Sequence, residues 1–134
     1  MNIFVDTSLL VALVHKEEIF HKKAVDLMKK FKNEGFFIDQ IIRDESINVV
    51  FRKWGLKKGR FLIKWLEKYG GKFTVIEVGD EIRTTAYEDL LAGYVENGPN
   101  VFDFIHFACM KKFGIKKVLT FDKHFGDFGF EILK

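Results

Sequence analysis

Short apolar segments alternate along this chain with longer stretches of helical spacing, and no other feature constrains the fold as strongly. Four segments are predicted to be buried strands: 2–6, 36–38, 73–76 and 118–121. Uninterrupted apolar runs of this length are typical of strands that are covered on both faces. The alternation therefore predicts an α/β fold, a three-layer α/β/α domain with a mostly parallel central sheet.

The segments between the strands show the 3.6-residue periodicity of helices that bury one face. Predicted helices cover residues 9–14, 17–33, 42–54, 57–69, 80–96 and 101–113. Turn-forming residues are expected at their ends: Thr7, Ser8 and Asn100 as N-terminal caps, and Gly35, Gly55 and Gly114 after the C-terminal ends. Gly70 and Gly71 are predicted to form a turn, and residues 130–133 an edge strand.

Composition is typical of a single globular domain, expected here over residues 1–134. The chain is long enough to bury one core, and 48% of it is hydrophobic. Its one cysteine, Cys109, cannot form an internal disulfide and is expected in the core. No basic leader precedes the first apolar run, and no run is long enough to span a bilayer. We therefore expect a cytoplasmic protein that does not contact a membrane.

The formal charge of +3 is only mildly basic and does not by itself indicate a nucleic-acid partner. Basic residues do form local clusters, at 22–23, 29–32, 57–60 and 111–117. Each cluster is either a solvated helix face or a contact for phosphates.

Four acidic residues are predicted to meet at one edge of the sheet. Asp6 and Asp122 each follow a predicted buried strand. Asp103 lies in the first turn of a predicted helix, and Glu45 lies early in the helix after the second strand. Because the carboxyl ends of parallel strands share one edge, where the ligand sites of such sheets lie, all four side chains are expected at one site.

Each acid taken alone also has an ordinary structural explanation. Asp103 stands three residues after Asn100, so the two can form a capping box and favour the helix dipole. Asp6 and Asp122 can be turn residues, and Glu45 can be an exposed helix glutamate. Spacing alone leaves both interpretations open.

Four neighbouring carboxylates repel one another, so they require either raised pKa values or divalent cations. All-oxygen ligation suits Mg²⁺ or Mn²⁺ rather than zinc. Such ions can activate a water and stabilise the leaving oxygen of a phosphodiester. Phosphodiester hydrolysis is the chemistry that best fits an acidic cluster without another catalytic group.

Other classes of site lack their motifs. The sequence contains no His-Glu-x-x-His, no Gly-x-Ser-x-Gly and no P-loop. A response-regulator receiver would need an aspartate after the third strand, where Glu77 stands. His106 follows Asp103 by three residues and is either a ligand or a histidine satisfied in the core.

Four segments together resemble the PIN-domain nucleases, especially the VapC-type toxins of toxin–antitoxin pairs. Ile3-Phe4-Val5-Asp6-Thr7-Ser8 is similar to the opening strand and first acid of that family, and Asp44-Glu45-Ser46-Ile47 to its glutamate segment. Residues 103–108 resemble the motif of the third acid, with Ala108 as its small residue, and 119–125 the closing motif. The stretch 129–132 is also similar to the family, so the resemblance spans the chain.

The resemblance implies a PIN-like domain that hydrolyses RNA with Mg²⁺ or Mn²⁺. It makes Asp6, Glu45, Asp103 and Asp122 catalytic residues and metal ligands, and implies that Thr7, Ser8 and Thr120 hold the carboxylates by hydrogen bonds. It also implies a homodimer and a small antitoxin partner. A nuclease of RNA maturation or quality control, or a non-catalytic PIN-like binding module, remains an alternative.

Two positions depart from the family pattern. Phe104 replaces the small residue that often follows the third acid, which should affect packing more than chemistry. His124 stands where many relatives carry a further acid, which leaves open whether Asp127 contributes. We assign Asp127 no primary role.

Overall fold

The computed structural model describes residues 1–68 and 72–134, and the strands in this part of the chain form one sheet. Their bounds are β1 Asn2–Val5, β2 Gly35–Asp39, β3 Phe73–Ile76, β4 Lys117–Leu119 and β5 Glu131–Ile132. The spatial order is β3-β2-β1-β4-β5, and each neighbouring pair is parallel. The predicted parallel α/β architecture is confirmed, and β5 lies at the predicted edge.

Helices follow and separate the strands. Their bounds are α1 Thr7–Val14, α2 His21–Lys30, α3 Gln40–Trp54, α4 Leu56–Lys68, α5 Asp80–Gly93, α6 Val101–Lys112 and α7 His124–Asp127. Helix α1 packs against α2 and α3, α3 against α4, and α5 against α6. Ile3, Phe4 and Val5 of β1 are all fully buried, although successive side chains point to opposite faces of a strand. Both faces of the sheet are therefore covered, as the three-layer prediction requires.

Two predicted helix ends are wrong at the second helix. The predicted range 17–33 shrinks to His21–Lys30, because residues 16–20 form turns in which the N–H of Glu18 donates to the carbonyl of His15. The chain leaves α2 through further turns, and Gly35 begins β2 rather than ending the helix. The short connection before α2 leaves Phe20 44% exposed at the surface.

The predicted cap of the first helix is also wrong. Asp6 is the N-cap residue of α1, and Thr7 and Ser8 are its first two helical residues. Their hydroxyls are used elsewhere, as described below. Strand β4 ends at Leu119, earlier than predicted, and α5 ends at Gly93.

Two other helix ends agree with the prediction. Gly55 and Gly114 follow α3 and α6 with φ of 84° and 66°, a left-handed conformation that glycine adopts without strain. The predicted turn at Gly70 and Gly71, and Tyr69 before it, lie outside the described residues. None of the helices described is both long and apolar enough to cross a membrane.

Candidate active site

The site lies where the strand order of the sheet reverses. Strand β1 is flanked by β2 on one side and β4 on the other, so the connections after β1 and β4 diverge at their carboxyl ends. The N–H of Asp6 donates to the carbonyl of Leu119 at 3.0 Å, which extends the β1–β4 pairing by one residue. This bond fixes Asp6 at the point where the connections after β1 and β4 diverge, and α1 begins immediately after Asp6.

An open groove of about 450 Å³ occupies this edge of the sheet. All four acids expected from the sequence line it: Asp6, Glu45, Asp103 and Asp122. A fifth acid, Glu18, and a lysine, Lys53, also line it. The fold therefore brings together four carboxylates from four different segments of the chain.

Hydroxyl groups hold the carboxylate of Asp6. Its Oδ2 accepts from Thr120 Oγ1 at 2.8 Å and from Ser8 Oγ at 3.0 Å. Thr120 Oγ1 also accepts from the N–H of Asp122 at 2.9 Å, and Ser8 Oγ accepts from the N–H of Phe121 at 3.0 Å. The ends of β1 and β4 are thus cross-linked by two side-chain hydroxyls.

The hydroxyl of Thr7 serves the glutamate in the same way. Thr7 Oγ1 donates to Glu45 Oε1 at 3.0 Å, joining the first turn of α1 to α3. The hydrogen bonds expected of Thr7, Ser8 and Thr120 are therefore present. They also explain why Thr7 and Ser8 do not cap α1.

Each of the four acids is held through only one of its carboxylate oxygens. Asp6 uses Oδ2, Glu45 uses Oε1, Asp103 Oδ2 accepts from the N–H of Asn100, and Asp122 Oδ1 accepts from the N–H of His124. Within residues 1–68 and 72–134, the second oxygen of each accepts no hydrogen bond. The protein orients four carboxylates and leaves one oxygen of each available.

Asp103 forms the capping box that its spacing predicted and also lines the groove. It forms a reciprocal capping box with Asn100, each side chain accepting from the other's N–H at 3.0 Å. Burial raises the pKa of Asp103, and the charges of Asp122 and Asp6 raise it further, against the hydrogen bond from Asn100 and the charge of His106. The cap fixes the carboxylate, and the neighbouring acids make its charge costly.

A buried histidine lies beneath the groove. His106 is 1% exposed, and its Nδ1 donates to Oδ2 of the fully buried Asp39 at 2.5 Å. Asp39 Oδ1 accepts from the N–H of Ile42 at 2.7 Å and so caps α3. On the other side of the ring, Nε2 lies 4.0 Å from Glu45 Oε1. The interpretation of His106 as a satisfied core histidine is confirmed.

The charge of this buried pair depends on its acidic surroundings. Burial lowers the pKa of His106, but the hydrogen bond and charge of Asp39 outweigh it, with smaller contributions from Asp6 and Glu45. The net result is a raised pKa for His106. When His106 is protonated, its positive charge offsets part of the repulsion among the acids of the groove.

A family model for the PIN domain matches residues 3–131. The chain belongs to the PIN domain family. This membership agrees with the resemblance seen in the sequence motifs and supports a nuclease. A search among curated protein sequences found no significant match.

Three solved structures similar to this PIN domain come from Mycobacterium tuberculosis, Rickettsia felis and Neisseria gonorrhoeae. The VapC20 toxin of Mycobacterium tuberculosis, described as cleaving the sarcin–ricin loop, is 24% identical with a TM-score of 0.83, covering 96% of this chain and 95% of its own. VapBC2 of Rickettsia felis, bound to a promoter DNA fragment, is 13% identical (TM-score 0.67; 99% and 98% covered). FitAcB of Neisseria gonorrhoeae is 15% identical (TM-score 0.70; 100% and 97% covered). These likenesses establish the fold.

Sequence reasoning missed Asp39 at the site of this PIN domain. Asp39 ends β2 just as Asp6 follows β1, so the rule that singled out Asp6 applied equally to it. Glu18 and Lys53 were missed as well, and no signal in the sequence marks them, because a turn and the last turn of α3 carry them to the groove. Asp127 does not line the groove; its carboxylate lies 4.0 Å from His124 Nδ1 and is 61% exposed.

The donor set of this PIN domain fits a hard divalent cation. Four carboxylates supply oxygen donors only, and each keeps one oxygen without a hydrogen bond. In the described part of the chain, however, no three His, Cys, Asp or Glu side chains already stand as a ligand set. The four carboxylates therefore share one groove without forming a preassembled ligand set.

Proposed function

We propose that this PIN domain is a divalent-metal-dependent endoribonuclease and the toxin of a VapBC-type toxin–antitoxin pair. One observation carries the proposal: four carboxylates line a single groove, each held through one oxygen and each with its other oxygen available. Family membership supports a nuclease, and the fold shared with VapC20 supports RNA as its substrate.

The chain's own residues would orient the reaction. Asp6, Glu45, Asp103 and Asp122 would hold Mg²⁺ or Mn²⁺, which supplies charge neutralisation and an activated water for phosphodiester hydrolysis. Thr120 and Ser8 would keep Asp6 in place, and Thr7 would do the same for Glu45. Such supporting hydrogen bonds usually matter about 10- to 100-fold for metal affinity or activity.

A small antitoxin and a homodimer complete the proposal. Two of the similar structures, VapBC2 and FitAcB, come from toxin–antitoxin systems, which supports a partner protein. Trp54 and Trp65 are half-buried against a small apolar cluster of Val11, Val14, Val50 and Leu62. Light scattering on the purified chain measures whether it forms a dimer.

The first test is binding of Mn²⁺ by calorimetry, followed by RNA cleavage with and without EDTA. Asp6→Asn and Asp103→Asn preserve shape and remove a charge, so we expect lost Mn²⁺ binding and a cleavage rate reduced by at least about 100-fold. Circular dichroism should show that both variants keep the fold.

Asp44→Asn is the matched control. Asp44 adjoins Glu45 in α3, but its side chain is 71% exposed and does not line the groove. This variant should bind Mn²⁺ and cleave RNA like the wild type. Full metal-dependent cleavage by both Asp6→Asn and Asp103→Asn would refute the proposed function.

A further inference from the structure

An aromatic pair stands at the rim of the acidic groove. The rings of Phe20 and Phe121 are stacked, with centroids 4.6 Å apart and planes inclined by 16°. Phe121 covers one face of the Phe20 ring, and in the described chain no second ring covers the other face. Phe20 is 44% exposed, so part of its ring is accessible at the surface.

A second cleft, of about 310 Å³, lies on the far side of this pair. Phe20, Phe121 and Asp122 line both cavities, so the stacked rings form the ridge between them. The second cleft is lined by Lys23, Lys123 and Lys134. The surface thus passes from carboxylates, over an aromatic ridge, to lysines.

The lysines of the second cleft keep their charge available. In residues 1–68 and 72–134, neither Lys23 nor Lys123 forms an ion pair. Three lysines elsewhere, Lys111, Lys112 and Lys117, each pair with an acid. Lys23 and Lys123 are not neutralised in this way and can contact an anionic group.

We propose that the Phe20–Phe121 ridge stacks a base of single-stranded RNA next to the scissile phosphate, with neighbouring phosphates on Lys23 and Lys123. This inference rests on the proposed ribonuclease function and names the path that its substrate takes. A base offers a flat face to an exposed ring, and the backbone beside it offers the charges that lysines bind. A paired base cannot reach the ridge, so the substrate is unpaired at this nucleotide.

The test measures binding of a random-sequence pool of fluorescein-labelled RNAs of about 12 nucleotides, in EDTA so that metal-dependent cleavage is suppressed. Phe20→Ala and Phe20→Leu should each weaken binding roughly 5- to 100-fold, since both remove the π face. Phe20→Trp should bind like the wild type. Loss with Leu and rescue with Trp separate base stacking from simple apolar contact.

The salt dependence provides a second readout that a purely structural role would not change. Lys23→Ala and Lys123→Ala should each lower the slope of log K against log salt by about 0.7, as expected for one lost contact to a single strand. Phe20→Leu should weaken binding and leave that slope unchanged. A 2-aminopurine in the RNA should lose its fluorescence quenching in the Phe20→Leu variant.

Phe113→Ala is the matched control. Phe113 is 50% exposed, and it follows α6 about 15 Å along the helix from Asp103. It should bind RNA like the wild type. If Phe20→Leu and Phe20→Ala bind RNA as tightly as the wild type while the wild type cleaves RNA, this inference is wrong and the proposed function stands. The ridge would then be a contact for a protein partner. If the wild type neither binds nor cleaves RNA, the proposed function fails with it.

Discussion

The two sides of the groove hold their carboxylates by different chemistry. The hydroxyl side, comprising Asp6, Ser8, Thr120 and Asp122, uses neutral donors at the ends of β1 and β4. The histidine side is a buried pair between Asp39, the N-cap residue of α3, and His106 of α6. Glu45 lies 4.0 Å from the His106 ring and also accepts a hydrogen bond from Thr7. One side depends on hydrogen bonds from neutral hydroxyls, and the other on the Asp39–His106 pair, which is closed to water.

This difference teaches where the stability of the site is concentrated. A hydroxyl that is lost leaves one or two hydrogen bonds unmade, which costs about 1–3 kcal/mol when the remaining group is buried. A buried ion pair that loses one partner leaves a charge without compensation, which costs about 3–5 kcal/mol. The histidine side should therefore support the fold, whereas the hydroxyl side should mainly support the geometry of the acids.

The largest effect is expected for Asp39→Ala. It removes the partner of His106 and the cap on the N–H of Ile42, so it should lower the free energy of unfolding by about 3–5 kcal/mol. Urea denaturation followed by circular dichroism measures this change. Asp44→Ala, five residues along the chain and exposed, should change stability by no more than about 0.5 kcal/mol.

If Asp39→Ala lowered the free energy of unfolding by less than about 1 kcal/mol, the claim that the histidine side supports the fold would be contradicted. It would mean that the buried pair adds little beyond what a single hydrogen bond contributes. Asp39→Asn is the milder companion variant, because its amide oxygen can still accept from Ile42 and its loss is confined to the charge.

The hydroxyl side was predictable from the sequence, and the histidine side was not. Asp6, Ser8 and Thr120 lie at strand ends, and parallel strands bring such residues to one edge whatever the details of packing. The pairing of Asp39 with His106 joins the N-cap of α3 to the middle of α6 and depends on where the fold places these two helices. No local pattern encodes that geometry, although the position of Asp39 at the end of β2 was visible.

The secondary structure also divides into elements that the sequence predicted and elements that it did not. Strand positions followed from short apolar runs, and β3 agrees with the prediction at both ends although Thr74 and Val75 at its centre are exposed. The bounds of α2 did not, because residues 17–20 continue the helical spacing but form turns instead. That turn places Phe20 and Glu18 at the groove. The helical spacing of the sequence therefore failed to predict the part of the site that an irregular segment forms.

A smaller effect is expected for Thr120→Val, which keeps the shape and removes the hydroxyl. Asp6 loses a 2.8 Å hydrogen bond, and the N–H of Asp122 loses its acceptor. Stability should fall by about 1–3 kcal/mol, and affinity for Mn²⁺ should fall about 10- to 100-fold. Denaturation and calorimetry measure the two changes separately.

Thr74→Val is the control for this substitution. Thr74 is exposed in β3, where valine is a favourable strand residue, so stability should change by no more than about 0.5 kcal/mol. If Thr120→Val lost more stability than Asp39→Ala, the hydroxyl side would contribute more to the stability of the fold than the histidine side, contrary to our expectation.

The smallest effect is a pH dependence that only the histidine side should show. The pKa of His106 is raised in the folded protein, so the folded state holds this proton more tightly than the unfolded state. The resulting stability is complete below the unfolded pKa of about 6.5 and is lost as pH rises through the folded pKa. The free energy of unfolding should therefore decline above about pH 6.5, by no more than about 1.4 kcal/mol per pH unit.

Denaturation in EDTA between about pH 6 and pH 8 spans the onset of this decline and stays below the titration of the buried Cys109 thiol, whose pKa is raised. His106→Gln should abolish the decline, whereas Thr120→Val should keep it, because a threonine hydroxyl does not titrate in this range. Asp103→Asn should also keep it, since the raised pKa of that carboxyl gives a decline that begins near 3.8. If the free energy of unfolding of His106→Gln declined with pH as much as that of the wild type, the titrating group would lie outside the histidine side. The assignment of a positive charge to His106 would then be wrong.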